Sequence, residues 1–346
     1  MTETTLKYEE LTALIGEIFR KAGMGASQAA AMAGVIAAGE RDGAKSHGIY
    51  RIDGCLRTIK AGKVAADAVP VLGADDGSAI IRVDARGGFA PPAFALAAPV
   101  LAARARKLGL AAMVVNDCTH FSALWHEAEA MADFGLVSMV MCPSYATVAP
   151  TGGTKPLLGT NPFAFGWPRI GKPPYVFDFA TSVAARGEIE LHRRAGKQLP
   201  EGWALDAEGR PTTDPEAALA GSMLPFGGHK GSAISTMIEL LAGIMLGDLT
   251  SQGALDKLGG TTALLPSHGE LVLAFSPERF AAGRPGDPMT RAEGLFDAII
   301  GQGSRLPGQR RFAARAKVAN TGIALSGEEI AHLDLLREQG LDAVQD

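Results

Sequence analysis

The residue pattern changes period at Ala79, and that change limits the folds open to the chain. Ahead of it, Leu11, Leu14, Ile15 and Phe19 recur at helical spacing, and the Ala-rich stretch from Ser27 to Arg41 reads as a second helix with Ser27 as its cap. Residues 5 to 62 therefore read as helical, ending at Gly62. Beyond Ala79, AIIRVDA (79 to 85), AAMVVND (111 to 117), LVSMVMC (136 to 142) and PYVFDFA (174 to 180) are short β-rich runs separated by helical or Gly/Pro-rich segments. The helical pattern returns in GEEIAHLDLLREQG, where Ser326 is placed to cap a helix starting near Gly327. The predicted class is α/β, with a helical domain built from both chain ends (residues 1–70 and 310–346) and an α/β domain (residues 71–309) inserted between them. At 346 residues the chain is longer than single cores usually grow, which agrees with two domains. Residues 196 to 222 are rich in turn formers and read as a long ordered surface loop.

Charge and cysteine usage exclude several functions. A net charge of −4 without a dense Lys/Arg run argues against nucleic acid as a partner, while leaving room for a small anion held by a few cations. Cys55, Cys118 and Cys142 are too scattered for a disulfide framework and read as reduced thiols. The start, MTETTLKYEE, has no apolar signal region, and the strongest apolar run, residues 233 to 246, contains Glu239 and is too short to span a bilayer. The expectation is a cytoplasmic protein with no membrane contact.

Neither common nucleotide loop is present. GMGASQ (23 to 28) lacks the third glycine and GQGSRLPG (301 to 308) has the wrong spacing for a dinucleotide fingerprint. In LPFGGHKGSAISTMIELL (224 to 241), two glycines, His229 and Lys230 precede a strong helix: either a phosphate site made of backbone N–H groups and Lys230, or a Gly-rich helix start with a solvated lysine. PTGGTKPLLGTNPFAF (150 to 165) reads as a loop that approaches a ligand closely. CTHFSALWHEAEA puts His120 and Ser122 at the carboxyl end of a β-run, where open α/β sheets bind ligands. No Asp/Glu/His set completes a metal site around His120 and His126, so no metal is expected. AKSHGIYRIDG (44 to 54) sets Ser46, His47 and Arg51 within six residues. Taken alone, these are either a solvated helix surface or a proton donor with an anion clamp.

Together, KSHGIYR, HFSALWHE, PLLGTNPFAF, FDFATSVAARGEI, PEGWALDAEGRPTTDPEAAL and LPFGGHKGSA resemble the malate/L-lactate dehydrogenase family that lacks a Rossmann fold, over nearly the whole chain. HFSALW and GGHKG resemble its Δ1-piperideine-2-carboxylate/Δ1-pyrroline-2-carboxylate reductase branch. The resemblance implies reduction of cyclic imino acids to L-proline or L-pipecolate by NADPH, with NADH as the alternative cofactor, in a homodimer. It implies Ser46 as an orienting or relay hydroxyl, His47 as proton donor, Arg51 as clamp for the substrate carboxylate and Thr160 near the substrate. On the cofactor it puts His120, Phe121, Ser122, Ala123 and Leu124, then Asp178, Phe179 and Ala180, then His229 and Lys230, and late in the chain Gln309, Arg310 and Arg311. The branch often carries an Asp after a Gly as a third relay member; here Glu188 follows Gly187, with a longer side chain.

The residue types suit that chemistry. Imidazole titrates near operating pH, and the guanidinium fork matches two carboxylate oxygens. On one continuous helix, His47 and Arg51 would stand about 5 to 6 Å apart at Cβ, within reach of one small acid. The rival enzyme reading is a 2-oxoacid reductase of the malate, lactate, sulfolactate or ureidoglycolate type, with a wall of Leu124 and Trp125 favouring a ring over an open-chain acid. The rival from another class is a catalytically silent binding protein.

Overall fold

The computed structural model describes residues 3–345. A short strand, β1 (Glu3–Leu6), leads into helices α1 (Tyr8–Lys21) and α2 (Ala26–Arg41). Gly25, not Ser27, caps α2; Ser27 lies within the first turn and donates its hydroxyl to Gln28 Oε1 at 2.9 Å. Residues 44 to 54 are not one helix. Lys45–His47 form a single 3₁₀ turn, the backbone swings out at Gly48, and α3 runs from Tyr50 to Lys60. The break has a physical cause: a Cβ on Gly39 would collide with the His47 carbonyl, and one on Gly48 with the Glu40 carboxylate. That carboxylate accepts from Ile49 N at 2.9 Å at the head of α3.

The centre of the molecule is a mixed seven-stranded sheet. In chain order its strands begin with β2 (Val71–Leu72) and β3 (Ile80–Asp84), followed by helix α4 (Ala90–Leu108) and β4 (Leu110–Thr119). Helix α5 (Trp125–Asp133), β5 (Val137–Met141), β6 (Phe163–Trp167) and β7 (Tyr175–Phe179) follow. After α6 (Arg186–Arg194) come β8 (Ala204–Leu205), β9 (Pro211–Thr212), α7 (Pro215–Ala220) and β10 (Ser222–Met223), then α8 (His229–Ile238), α9 (Ser251–Lys257) and β11 (Ser267–Phe275). The spatial order is β2-β3-β4-β11-β5-β6-β7, and only the β3–β4 pair is parallel. Four of the expected runs are β3, β4, β5 and β7. The sequence reading missed β6, hidden at the end of a Gly/Pro-rich stretch, and β11, whose apolar run is interrupted by Glu270. Residues 196 to 222 are also more than a loop: β8, β9 and β10 form a small sheet, and Leu199, Ala204 and Ala218 are buried against Val148 and Leu158.

The chain closes through α10 (Pro277–Phe280), α11 (Pro288–Gly301), α12 (Gln309–Thr321), β12 (Ile323–Ser326) and α13 (Gly327–Gln339). Ser326 caps α13 as expected, with Glu329 returning a bond to its backbone N–H. β12 pairs antiparallel with β1, and Leu333 and Leu336 share a buried cluster with Leu11, Ile15, Phe19 and Ile36. The two ends of the chain thus pack on each other, and Phe89 and Phe121 join that cluster from the loops beside β4. The three cysteines are buried free thiols. Among the described residues no single helix is long and apolar enough to cross a membrane.

Candidate active site

Ser46 and His47 sit on the 3₁₀ turn and Arg51 in the first turn of α3, so the pair and the cation belong to two short elements meeting at Gly48. The Ser46 hydroxyl lies 3.0 Å from His47 Nδ1, which leaves Nε2 without a hydrogen-bond partner among the described residues. Burial, and secondly the Arg51 charge, push the His47 imidazolium down to about 3. Arg51 makes no ion pair among the described residues, and its buried Nε has no hydrogen-bond partner. A half-buried guanidinium without an anion is an open binding group.

His120 follows β4, and burial and then the neighbouring His268, His47 and Arg51 lower it to about 3. The charges of His47 and Arg51 therefore reach His120. Its Nε2 has no hydrogen-bond partner and lies 3.9 Å from both Glu127 Oε1 on α5 and Glu270 Oε1 on β11. Burial raises both carboxyls, Glu270 to about 8, and the like charge of Glu270 raises Glu127 further. Ser122 Oγ points toward Glu127 without a hydrogen bond of normal geometry. The sequence reading found no acidic set around His120; the fold supplies one from two other elements, whereas His126 faces Arg41, Asp42 and Arg315 instead.

The rest of the predicted cofactor contacts occupy three places. Asp178, near the end of β7, accepts from the backbone N–H of Trp125 at 3.0 Å, and burial lifts its carboxyl to about 6. It ties β7, with Phe179 and Ala180 just beyond, to the HFSALW turn. Within that turn Phe121 and Leu124 are buried core side chains, so a ligand would meet them through backbone, and Leu124 forms no pocket wall; Ala123 is half-buried. Arg311, at the start of α12, stacks 4.4 Å over Trp125 and pairs with Glu129 at 3.2 Å, while Gln309 accepts from Leu306 N and Arg310 is exposed. His229 and Lys230 open α8 after Gly227 and Gly228, both left-handed at φ 55° and 61°, and are exposed. His229 lines a cleft of about 600 Å³ with Thr151, Ser232 and Leu240.

Thr160 accepts at its carbonyl from Thr181 N at 2.8 Å, and its neighbour Asn161 organises the loop. Asn161 has φ 29°, accepts from Ser251 Oγ, and donates to Ser235 Oγ and Glu239 Oε1 at 2.9 and 2.8 Å. Glu188 stands apart. It is exposed on α6, its carbonyl faces His192 Nδ1, and among the described residues no hydrogen bond joins it to Ser46. Sequence reasoning missed Glu127, Glu270, His268 and Asn161. A glutamate inside the apolar strand run ELVLAF was a usable signal, because a lone buried charge needs a reason; nothing local marked Asn161.

Residues 6–334 match the model of the malate/L-lactate dehydrogenase family. A Δ1-pyrroline-2-carboxylate reductase of Agrobacterium fabrum is 70% identical over 341 residues, covering 99% of each chain. A Δ1-pyrroline-2-carboxylate/Δ1-piperideine-2-carboxylate reductase of Pseudomonas aeruginosa is 52% identical, covering 95% of this chain and 97% of its own. The crystal structure of Δ1-piperideine-2-carboxylate reductase from Pseudomonas syringae pvar. tomato superposes with a TM-score of 0.91 at 40% identity, covering 96% of this chain and 99% of its own. The chain belongs to the malate/L-lactate dehydrogenase family of oxidoreductases.

Proposed function

We propose that the protein reduces Δ1-pyrroline-2-carboxylate and Δ1-piperideine-2-carboxylate to L-proline and L-pipecolate with NADPH. The observation that carries the reading is an unpaired Arg51 guanidinium beside a Ser46–His47 couple whose Nε2 is free. Arg51 holds the substrate carboxylate through its two-pronged fork. His47, oriented by Ser46, supplies the proton that the imine nitrogen needs. A carboxylate bound at Arg51 cancels the charge that depresses His47, so binding moves the imidazole toward its protonated form. Glu188 replenishes Ser46 only if α6 approaches it, and Thr160 borders the substrate.

Membership of the family implies a nicotinamide cofactor, and when bound it supplies the hydride. The residues fit such a group: the left-handed Gly227–Gly228 pair bares backbone N–H groups at the head of α8, with Lys230 exposed beside them. His120 to Leu124, Asp178 to Ala180 and Gln309 border it elsewhere. Of the two late arginines, exposed Arg310 is better placed for a 2′-phosphate, since Arg311 is engaged by Glu129 and Trp125. This arrangement is a nicotinamide-binding α/β domain without a doubly wound parallel sheet, residues 71–309, set into a helical domain of residues 1–70 and 310–346. Met237, Leu240, Ile244 and Met245 are exposed apolar side chains on one stretch, which supports a homodimer. A cytoplasmic location suits the reaction.

A spectrophotometric screen of NADPH and NADH against both cyclic imines, pyruvate and oxaloacetate tests the reading. Turnover confined to the imines supports it; turnover confined to the 2-oxoacids, or none at all, removes it.

A further inference from the structure

Three buried groups, His120, Glu127 and Glu270, form a cluster that the proton donor and carboxylate clamp do not use. His120 Nε2, Glu127 Oε2 and both oxygens of Glu270 are buried without a hydrogen-bond partner, and one ligand atom from each residue falls within 4.8 Å of the other two. Buried polar atoms in native folds are ordinarily satisfied, so four orphans in one place signal a function that tolerates their cost. Position narrows it. His120 is the member that the charges of His47 and Arg51 reach, and the two glutamates approach its Nε2 from α5 and β11.

We propose that Glu127 and Glu270 hold a proton behind His120, which passes it to the substrate nitrogen and so commits the site to imines over ketones. The inference rests on the imine-reductase reading above. A glutamic acid gives its proton to His120 Nε2 as Nδ1–H gives another to the imine nitrogen. The products are a glutamate carboxylate and an iminium, and the net charge of the site is unchanged. Hydride then adds to C2, the C=N electron pair moves to nitrogen, and a neutral secondary amine results. The carboxylate left behind stabilises the iminium through a low-dielectric wall before hydride arrives. A ketone oxygen is far too weakly basic to accept this proton beforehand, so the pair aids imines selectively. The first proton then comes from His120 in place of His47; His47 orients the nitrogen and donates only when the amine becomes ammonium.

The titratable groups around the pair come from β4, β7, β11 and the segment after β5. They are Cys118 on β4, Asp178 on β7, Cys142 after β5 and His268 on β11, with Asp248 beyond Cys118. The anionic neighbour Asp178 raises Glu127 further, which keeps the proton in place until a cation forms.

The test uses Glu270→Gln and Glu127→Gln, which keep the volume and the neutral form. For the intact enzyme, kcat/KM for pyrroline-2-carboxylate is measured against pH, and Kd is measured for L-proline and for tetrahydrofuran-2-carboxylate, whose ring oxygen carries no charge. We expect each variant to lose at least tenfold in imine kcat/KM, to lose affinity for L-proline alone, and to regain part of both as Glu270→Asp. Equal loss for the two ring acids, an imine profile unchanged at every pH, or a stoichiometric metal ion in the purified protein would overturn the proposal. A wild-type enzyme inactive on imines would instead overturn the functional reading itself.

Discussion

Replacing Arg51 with alanine removes a cation that has no ion pair among the described residues. Its guanidinium offers two charge-assisted hydrogen bonds to a substrate carboxylate, each worth about 1.5 kcal/mol net, and no carboxylate among the described residues competes for them. The loss is therefore about 3 kcal/mol, or roughly 100-fold in kcat/KM, and it falls mainly on KM because the clamp acts on bound substrate and transition state alike. A second effect runs the other way. Arg51 lowers His47, so its removal raises the imidazole toward its ordinary value and moves the pH profile of kcat upward. Since Arg51 has no ion pair among the described residues, stability should change by less than about 1 kcal/mol, which separates the result from unfolding. The assay is steady-state loss of reduced-cofactor absorbance across a range of imine concentrations, with thermal melting in parallel. A KM within threefold of the parent, in a folded variant, would refute the clamp.

Other perturbations test separate parts of the account. His47→Ala should lower kcat at least tenfold while reduced-cofactor binding, followed by fluorescence, survives; unchanged turnover would take His47 out of the reaction. Arg310→Ala should narrow the ratio of kcat/KM for NADPH over NADH, and an equal fall with both cofactors would argue against a 2′-phosphate contact. Asp42 is pulled two ways: burial works to raise its carboxyl, but bonds from Arg315 and Arg41 outweigh it and hold it below 3.8. A folded value below the unfolded one contributes stability that is complete above the unfolded value and is lost as pH falls through the folded one. Asp42→Asn should therefore lower the denaturation midpoint at neutral pH and flatten its decline below pH about 4, and a decline as steep as the parent's would contradict this.

Much of the scaffold was legible because local rules and burial agree. The Ser326 cap with Glu329 three residues on, and the four β-runs of alternating or continuous apolar residues, are signals that tertiary structure had no reason to override. Failures fell where a distant group decided the local conformation. AKSHGIYRIDG resembles one helix by spacing, yet the Glu40 carboxylate and the Gly39 backbone, both from α2, impose the break at Gly48. The β1–β12 pairing joins residues more than three hundred positions apart, a contact with no local trace.

The site divides along the same line. Ser46, His47 and Arg51 were visible because they are contiguous, and the fold brings His120, after β4, within reach of the His47 and Arg51 charges. Glu127 and Glu270 reach His120 from α5 and β11 through the sheet order, which no spacing rule encodes. Leu124 shows the reverse error: a residue in a functional motif whose side chain serves the core.

The most direct test of the central claim is to run the reaction with reduced cofactor carrying deuterium at the transferring position and pyrroline-2-carboxylate as substrate, then analyse the proline by mass spectrometry and chiral chromatography. The account predicts L-proline with one deuterium at C2. Unlabelled proline, racemic product, or no proline beside active reduction of pyruvate would contradict it.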